Sequence, residues 1–575
     1  MTLMTNHSGT RNPSPFASAS SAASGGATAD LTETAAPTAA TEQWQALASH
    51  RVSMQTIHMR DLFAVEPQRA QRMSVTAGPL HIDYSKHRTT ASTLQLLQAL
   101  AHARGVTDWR HRMLAGEAIN SSEGRAALHM ALRGSGPAAA QAEARAALGQ
   151  MHTLSEAVRS GTRHSASGKP FTDVIHIGIG GSDLGPRLAL AALQGSAAQA
   201  LRVHFVANID PHELDTVLAR CDAATTLVII ISKTFSTAET LLNAVHARAW
   251  LIATAGGPDA ATGAHARGAT GATGAAGADG ADGAVDHPVG HANLIAVTNN
   301  PAAARAFGVP ESQILSLPDW VGGRFSVWSA VGLSVMMAFG SRTFDALLAG
   351  AAEMDAHFIS APPEHNAPLI LALLSVWNIN FLGAQSRAVL PYSQRLDLLP
   401  DYLQQLEMES NGKRIGRSGT VLGYATAPVI FGNVGANSQH SFHQLLHQGT
   451  HLVPSELIVL RASDDARSRM LAVNALAQSA ALMAGDDTQP EATPGNQPST
   501  TIVLPELNAH TLGALLALYE HKVFVEGVLW DINSFDQPGV ELGKRLASTL
   551  LPVFDGGNIP AATDASTRAL LARIR

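Results

Sequence analysis

The sequence predicts an α/β fold in which parallel β-sheets are flanked by helices. Its apolar runs are short, β-branched and continuous, as in Leu227 to Ile231, which is typical of strands covered on both faces. These runs alternate with helical segments, and such a βαβ rhythm indicates a parallel sheet. A second block of the same kind indicates a doubled architecture. The predicted strands are 173–179, 203–207, 227–231 and 293–298 in the first block, and 387–391, 429–431 and 457–460 in the second.

The composition is that of a soluble globular protein, since 46% of the 575 residues are hydrophobic and 15% are charged. No run approaches the roughly 20 apolar residues of a membrane helix. The N-terminus lacks the pattern of a signal peptide, so we expect a cytoplasmic protein. A net charge of −7 argues against nucleic acid as a partner. Because Cys221 is the only cysteine, neither an internal disulfide nor a cysteine zinc site can form.

Two low-complexity segments are predicted to lie outside the folded core. Residues 1–42 are rich in Ala, Ser, Thr and Gly without apolar periodicity, which indicates a disordered extension. The repeats of Gly, Ala, Thr and Asp at 256–290 indicate a flexible surface insertion without a part in function. Between the extension and the first strand the chain is predicted to be helical, over 44–63, 93–113, 120–133 and 138–157.

The first predicted strand runs into a glycine-rich turn, Gly180 to Gly185. Counted from Gly178, the turn begins like a dinucleotide-binding fingerprint, but Asp183 stands where the last glycine belongs. No acidic residue follows at the distance that the ribose contact requires. The turn is therefore either a loop where backbone amides and Ser182 approach a ligand, or only a tight strand-to-helix turn.

The turn after the strand at 227–231 has the composition of a phosphate site. Ser236 and Glu239 have capping-box spacing and predict a helix start there. Backbone N–H groups, hydroxyls and the helix dipole converge on an anion at such a place. An ammonium 4 Å from one unit of phosphate charge contributes roughly 4 kcal/mol at an effective dielectric near 20. Alternatively, the hydroxyls only cap the helix and the lysine is solvated. The candidate ligands are Ser232, Lys233, Thr234 and Thr237.

Three later positions have the chemistry of catalytic groups. Arg324 follows two glycines and precedes an apolar helix, so a tight turn delivers its charge. Glu409 ends an amphipathic segment just before an Asn-Gly turn, where a glutamate taken alone is a solvated helix end. Lys544 lies seven residues after Gln537, around a Pro-Gly turn, and taken alone is a surface lysine.

Three histidines, His440, His443 and His447, fall on one helical face. The HQLLH segment is similar to the HExxH zinc motif, but Gln444 occupies the position of the glutamate base and no third ligand is evident. A metal-dependent enzyme built on these histidines is therefore one alternative.

Together these stretches resemble the glucose-6-phosphate isomerase family, whose members contain two sugar-isomerase (SIS) α/β sandwich subdomains. The resemblance implies that 126–340 and 341–575 are the two subdomains, the second with C-terminal helices, and that an N-terminal helical segment, 43–125, packs on the second. The matching motifs occur in the family's order and span nearly the whole chain: HIGIGGSDLGP at 176–186, SKTFSTAET at 232–240, WVGGRFSVWSAVGL at 320–333, QQLEMESNGK at 404–413, QHSFHQLLHQGT at 439–450 and FVEGVLWDINSFDQPGVELGK at 524–544.

The resemblance also implies a reaction, the reversible isomerisation of glucose 6-phosphate to fructose 6-phosphate in glycolysis and gluconeogenesis. It proceeds by ring opening and a cis-enediol(ate), without metal or organic cofactor. Glu409 would move a proton between C2 and C1, Arg324 would face the enediolate, and His440 with Lys544 would open the ring. The implied phosphate ligands are Ser182, Ser232, Lys233, Thr234, Thr237 and Gln537. The implied sugar contacts are Gly181, Gly323 and Gln405.

In the family the histidine reaches the site from a neighbouring subunit, so the resemblance implies a homodimer. The loop before it departs from the family pattern, since Ala436 and Ser438 occupy positions that are usually Thr and Gly. A sugar-phosphate-binding regulator with SIS domains is a second alternative. Glu409 and Arg324 favour the enzyme, because binding alone requires neither.

Overall fold

Strands and helices alternate along the computed structural model, which describes residues 41–195, 197–255 and 292–575. The strands are β1 (Ser74–Ala77), β2 (Leu80–Lys86), β3 (Asp173–Ile177), β4 (Arg202–Val206), β5 (Thr226–Ile231), β6 (Leu294–Thr298), β7 (Ile314–Ser316), β8 (Ser386–Tyr392), β9 (Val429–Gly432), β10 (Ser455–Leu460) and β11 (Ser499–Leu504).

The α-helices comprise a set before β3 and sets that connect or follow the later strands. The N-terminal helices are Thr41–Met54, Met59–Val65, Arg69–Arg72, Ala91–Ala103, Val106–Ala115 and Ala138–Arg159. Those between β3 and β8 are Leu184–Leu193, Pro211–Leu218, Ala238–Ala255, Pro301–Ala306, Leu333–Phe339, Ser341–Ser360 and Ala367–Val376. Those after β8 are Leu399–Leu403, Gly435–Gln439, His443–Gln448, Ala466–Ala484, Ala509–Leu529, Glu541–Leu550 and Ala565–Ile574.

The first block folds into a five-stranded sheet in the order β4-β3-β5-β6-β7, with all neighbours parallel. Every residue of β3, β5 and β6 is buried, which explains their continuous apolar runs. The strand order reverses between β3 and β5, because β4 lies outside β3 and the later strands continue from β5. In such sheets a crevice for ligands opens there, at the carboxyl ends of the strands.

The second block forms a six-stranded sheet in the order β1-β2-β11-β10-β8-β9. Strands β8 to β11 pair in parallel, whereas β2 runs antiparallel to β11 and β1 antiparallel to β2. The predicted strands of both blocks are confirmed, with ends that shift by one or two residues. The chain before residue 125 contributes the β1–β2 hairpin to this sheet.

The helical predictions were less complete. Strand β2 lies in the segment that was predicted to be helical, and its burial alternates along most of its length. The helix predicted over 120–133 is wrong. Asn120 forms a bridge with Arg125 around a turn, and only His129–Arg133 is helical, as a short 3₁₀ segment. Ser121, Ser122 and Gly124 favour that turn.

Most residues of the two predicted low-complexity segments lie outside the described residues. The predicted extension, 1–42, lies outside the described residues except for its last two, which begin the first helix. The predicted insertion, 256–290, lies outside the described residues.

A hydrophobic core joins the two sheets. The same cluster of buried residues contains Val174 and Ile229 from the first sheet and Ile458 and Ile502 from the second. The helix Ala509–Leu529, buried at every residue except His510, packs against the helix Ser341–Ser360 within this core. Within the described ranges, no helix combines the length and the apolar character that a membrane crossing requires.

Arg133 is buried in this core between two carboxylates. Its guanidinium donates to Asp355 at 2.7 and 2.8 Å and to Glu520 at 2.6 Å, and all three side chains are fully buried. The three residues belong to a 3₁₀ segment and to the two packed helices. The charges stabilise this packing only while all partners are present, because an unpaired buried charge is costly.

We therefore expect Arg133→Met to lower the free energy of unfolding by about 3 to 5 kcal/mol, because it leaves two buried carboxylates without their cation. Urea denaturation measures the loss. The matched control is Arg305→Met. Arg305 pairs with Glu311 at the surface, where such pairs contribute about 1 kcal/mol or less. Equal losses in the two variants would contradict the role assigned to the buried triad.

Candidate active site

The two turns singled out in the sequence lie side by side at the crevice between β3 and β5. The turn Gly180–Ser182 follows β3, and the turn at 232–237 follows β5. These strands are direct neighbours in the sheet. A small anionic ligand at the crevice therefore reaches both turns.

The turn at 232–237 presents unpaired donors. The hydroxyls of Ser232 and Thr237 lie 3.1 Å apart, and Phe235 adopts a left-handed φ of 52°. Phe235 is nevertheless fixed, because its ring is buried against Phe307. The helix begins at Ala238, slightly beyond the predicted cap, and the Ser236 hydroxyl contacts Thr234 instead. Backbone N–H groups without an acceptor among the described residues are those of Lys233, Thr234, Ser236 and Thr237.

The ammonium of Lys233 joins this turn to a second loop. It donates to the backbone carbonyls of Asp319 at 2.8 Å and Val321 at 3.0 Å. Burial lowers the pKa of Lys233, and the charge of Arg125 lowers it further. The lysine thus holds the turn against the loop that leads into Arg324, while the N–H groups of the turn stay open for an anion.

Gly181 and Gly323 are in direct backbone contact. A Cβ atom on Gly181 would lie 2.2 Å from the carbonyl carbon and oxygen of Gly323, which no real side chain tolerates. The Ser326 hydroxyl also donates to the Gly181 carbonyl, at 3.3 Å. The glycine that the sequence placed beside the sugar therefore packs on the turn that carries Arg324.

Arg324 is almost completely buried, and four of its five N–H donors are paired. Its Nε donates to the Ser410 hydroxyl at 2.6 Å, and its Nη1 donates to Oε1 of Gln537 at 3.1 Å. Its Nη2 donates to the carbonyls of Ser534 at 2.6 Å and Asp536 at 3.1 Å. Burial lowers the pKa of Arg324, and nearby carboxylates raise it. The guanidinium therefore presents a fixed positive charge.

Glu409 lies beside this guanidinium, with Oε2 3.8 Å from Nη1 of Arg324. The oxygen is buried and has no hydrogen-bond partner. The carboxylate lies on a π-helical segment, Gln404–Glu409, a conformation often found at functional sites. A cavity of about 750 Å³ opens beside it and also reaches Gln537 and Lys413. The Glu409 side chain is 22% exposed and lines this cavity, so a ligand there reaches the carboxylate.

The two predicted glutamine contacts also lie here. A Cβ atom on Gly180 would lie 3.0 Å from Nε2 of Gln405, so the Gln405 side chain packs on the β3 turn. Gly180 itself has a φ of 61°, which favours glycine. Gln537 lines the cavity and accepts from Arg324. The structure therefore brings Gly181, Gly323, Arg324, Gln405, Glu409 and Gln537 together, next to the turns with Ser182 and Ser232.

His440 and Lys544 are not among these contacts within one chain. Both are exposed, and the Lys544 ammonium pairs with Glu541 at 3.0 Å. His443 and His447 both contact Oε1 of Gln478, at 3.1 and 2.8 Å. In the described part of the chain, the group of three possible metal ligands within 4.8 Å is Asp173, His204 and Cys221, and not the three histidines.

The unusual Ser438 has a structural role in the His440 loop. Its buried hydroxyl donates to the Gly435 carbonyl at 2.6 Å and lies 3.1 Å from Nε2 of His443. The Ser438 side chain therefore stabilises this turn from within.

Comparison with known proteins identifies the family. The family model described as phosphoglucose isomerase matches residues 83–571. The chain is 47% identical over 548 residues to the glucose-6-phosphate isomerase of Dechloromonas aromatica, covering 92% of this chain and 98% of that protein. It is 44% identical over 566 residues to that of Laribacter hongkongensis, covering 93% and 97%. The chain belongs to the phosphoglucose isomerase family.

A solved structure agrees with this assignment. The crystal structure of a glucose-6-phosphate isomerase from Chlamydia trachomatis superposes with a TM-score of 0.77 at 32% identity, covering 93% of this chain and 98% of that one. The predicted fold class and the predicted family are therefore confirmed, and the protein is an isomerase.

Several contacts of this isomerase site escaped the sequence analysis. His176, in the middle of β3, bonds through Nε2 to the Ser182 carbonyl at 2.6 Å and through Nδ1 to the Ser334 hydroxyl at 2.8 Å. Burial lowers its pKa to about 4, so the ring is neutral at neutral pH and positions the β3 turn. A polar residue between the apolar Ile175 and Ile177 was the available signal.

We expect Gly181→Ala to lower kcat/KM by about 10²-fold, because the methyl group forces the Gly323 turn and Arg324 out of position by the order of 1 Å. Steady-state isomerase kinetics measure the change. Gly149→Ala is the matched control, since no atom lies within 4 Å of its added Cβ. An active Gly181→Ala enzyme with unchanged kinetics would refute the close packing.

Proposed function

We propose that the chain catalyses the reversible isomerisation of glucose 6-phosphate to fructose 6-phosphate through ring opening and a cis-enediol(ate) intermediate. The observation that carries this proposal is Oε2 of Glu409, a buried carboxylate oxygen without a hydrogen bond that lies 3.8 Å from Nη1 of Arg324. Membership of the phosphoglucose isomerase family supports the same reaction, with its place in glycolysis and gluconeogenesis.

The phosphate is proposed to bind at the β3 and β5 turns. The free N–H groups at 233, 234, 236 and 237 support this, because several backbone donors around one point stabilise an anion. The lysine charge lies next to them. Proposed phosphate ligands are Ser182, Ser232, Lys233, Thr234, Thr237 and Gln537.

The proton transfer requires one base and one fixed cation. Glu409 takes the proton from C2 and returns it to C1 on the same face of the enediol, and a positioned base of this kind contributes about 10² to 10⁴ in rate. Arg324 stabilises the negative oxygen that develops, and losing such a group typically costs about 3 to 4 kcal/mol. Gly181, Gly323 and Gln405 are the proposed contacts that orient the sugar between these two groups.

Ring opening is proposed for His440 and Lys544. Both side chains are exposed in the single chain, which suits groups that meet the sugar only after a partner subunit docks or the helix Glu541–Leu550 moves. We propose a homodimer in which each subunit supplies His440 to its neighbour. The homodimer, the cytoplasmic location and the division at residues 125 and 340 stay predictions.

Glu409→Gln separates an isomerase from a binding module. We expect kcat to fall by about 10² to 10⁴-fold, because the amide cannot accept the proton. The affinity for glucitol 6-phosphate, which lacks the reactive carbonyl, is expected to stay unchanged. A coupled assay with fructose 6-phosphate and calorimetric titration of the hexitol phosphate give the two values.

The exposed Glu364→Gln is the control for loss of a carboxylate. Unchanged turnover in Glu409→Gln would reject Glu409 as the base. A wild-type protein that binds glucitol 6-phosphate but does not turn over fructose 6-phosphate would be a binding module.

Mixing two impaired variants tests the shared site. Glu409→Gln and His440→Ala homodimers each lack one essential group in both sites. After subunit exchange, half of the dimers are mixed and each contains one intact site, so about a quarter of wild-type activity returns if His440 crosses the interface. A mixture that stays as inactive as its components shows that His440 serves its own chain.

A further inference from the structure

Lys413 is a lysine of the cavity for which the proposed reaction has no use. Its side chain is 12% exposed, and its ammonium lies against three oxygen atoms. It donates to the Ser410 carbonyl at 2.6 Å and the Asn533 carbonyl at 2.5 Å, and it pairs with Oδ1 of Asp536 at 2.9 Å. The ammonium therefore makes two hydrogen bonds to backbone carbonyls and one ion pair.

These acceptors belong to the two segments that carry the reacting groups. Ser410 follows Glu409 directly, and Asp536 precedes Gln537. Arg324 bonds to the same two segments, through the Ser410 hydroxyl and the Ser534 carbonyl. Two cations thus join the Glu409 segment to the Gln537 loop. An arginine keeps its charge at all working pH values, so only the lysine can lose its proton.

Asp536 is itself held in place on the far side of this contact. Its Oδ2 accepts from the Ser122 hydroxyl and, at 3.0 Å, from the Asn533 amide. Its Oδ1 therefore faces the Lys413 ammonium from a fixed position. The pair connects the chain around 122, the turn at 410–413 and the loop at 533–537.

The surroundings of Lys413 make its charge easy to remove. Burial lowers its pKa to about 8, although the Asp536 carboxylate raises it. The charge of Arg324 also lowers the pKa of Lys413, and the charge of Glu409 also raises it. The other cations that line this cavity are Arg414 and Arg417, and the latter pairs with Asp531.

We propose that Lys413 is a positioning residue, whose ammonium holds the Glu409 segment and the Gln537 loop together and whose deprotonation sets the alkaline limit of the reaction. The inference rests on the proposed isomerase function. Deprotonation removes the ion pair that joins the two segments and leaves the buried Asp536 carboxylate without its cation. The segments then separate, so both kcat and the affinity for the phosphate fall as pH rises through about 8.

Two substitutions are expected to shift the pH at which activity declines, in opposite directions. Lys413→Arg retains its charge through pH of about 10 and keeps kcat/KM level beyond the point where wild type declines. Asp536→Asn removes the anion that favours the ammonium, so the decline begins at a lower pH. Lys413→Met is expected to lower kcat/KM by about 10²-fold at every pH, because nothing replaces the contact.

The pH profiles of kcat and KM are measured for wild type, the three variants and the exposed control Lys169→Met, whose profile is expected to match wild type. Circular dichroism and thermal unfolding check that each variant folds. An alkaline limb at the same pH in wild type, Lys413→Arg and Asp536→Asn overturns the proposal. If the arginine variant does not fold, the Asp536→Asn profile alone decides.

Titration with glucitol 6-phosphate keeps this inference separate from the reaction. Its affinity is expected to fall above pH of about 8 in wild type and at lower pH in Asp536→Asn. A protein that binds the hexitol phosphate with this pH dependence but lacks turnover contradicts the isomerase and supports the Lys413 contact. Normal turnover with a pH-independent affinity for glucitol 6-phosphate contradicts the role of Lys413 and leaves the isomerase function standing.

Discussion

The buried guanidinium of Arg324 is the constraint on which the site depends. A charge with 4% exposure is tolerated only when its donors are paired, and here the partners come from the turn after Glu409 and from the loop before Gln537. Neither segment alone can satisfy the cation. The bonds that make burial of Arg324 possible therefore also fix the candidate base and the candidate phosphate ligand relative to each other.

Two glutamates on the same π-helical segment have different surroundings, which give one a structural role and the other a chemical role. Glu407 is fully buried and bonds to Arg387 and Lys522. Burial alone would raise the pKa of Glu407, but these two cations bring it below its ordinary value. The charge of Glu407 is therefore paired within the core. Glu409, two residues later, has one cation at 3.8 Å and an oxygen without any bond. Only the second can take up a proton from a ligand.

Much of the fold and part of the site could be predicted from the sequence. Strands buried on both faces, such as β5, leave continuous apolar runs, whereas β2 alternates and the three residues of β7 leave no pattern. Glu409 and Arg324 were found through their motifs. The Lys413–Asp536 pair could not be, because its partners are far apart in sequence and only the fold joins them. Nor does sequence reveal that the Lys233 ammonium bonds to carbonyls.

The two ends of the site are held by different forces, and this decides what can disturb each of them. The β3 turn is fixed against the Arg324 turn by backbone packing at Gly181, where no atom titrates. The Glu409 segment is fixed by polar contacts, one of which depends on the Lys413 proton. Binding of the non-reacting phosphate can then contribute to catalysis only while the polar contacts hold the base in place. A steric change at Gly181 therefore acts first on the β3 turn, and loss of the Lys413 proton acts first on the Glu409 segment.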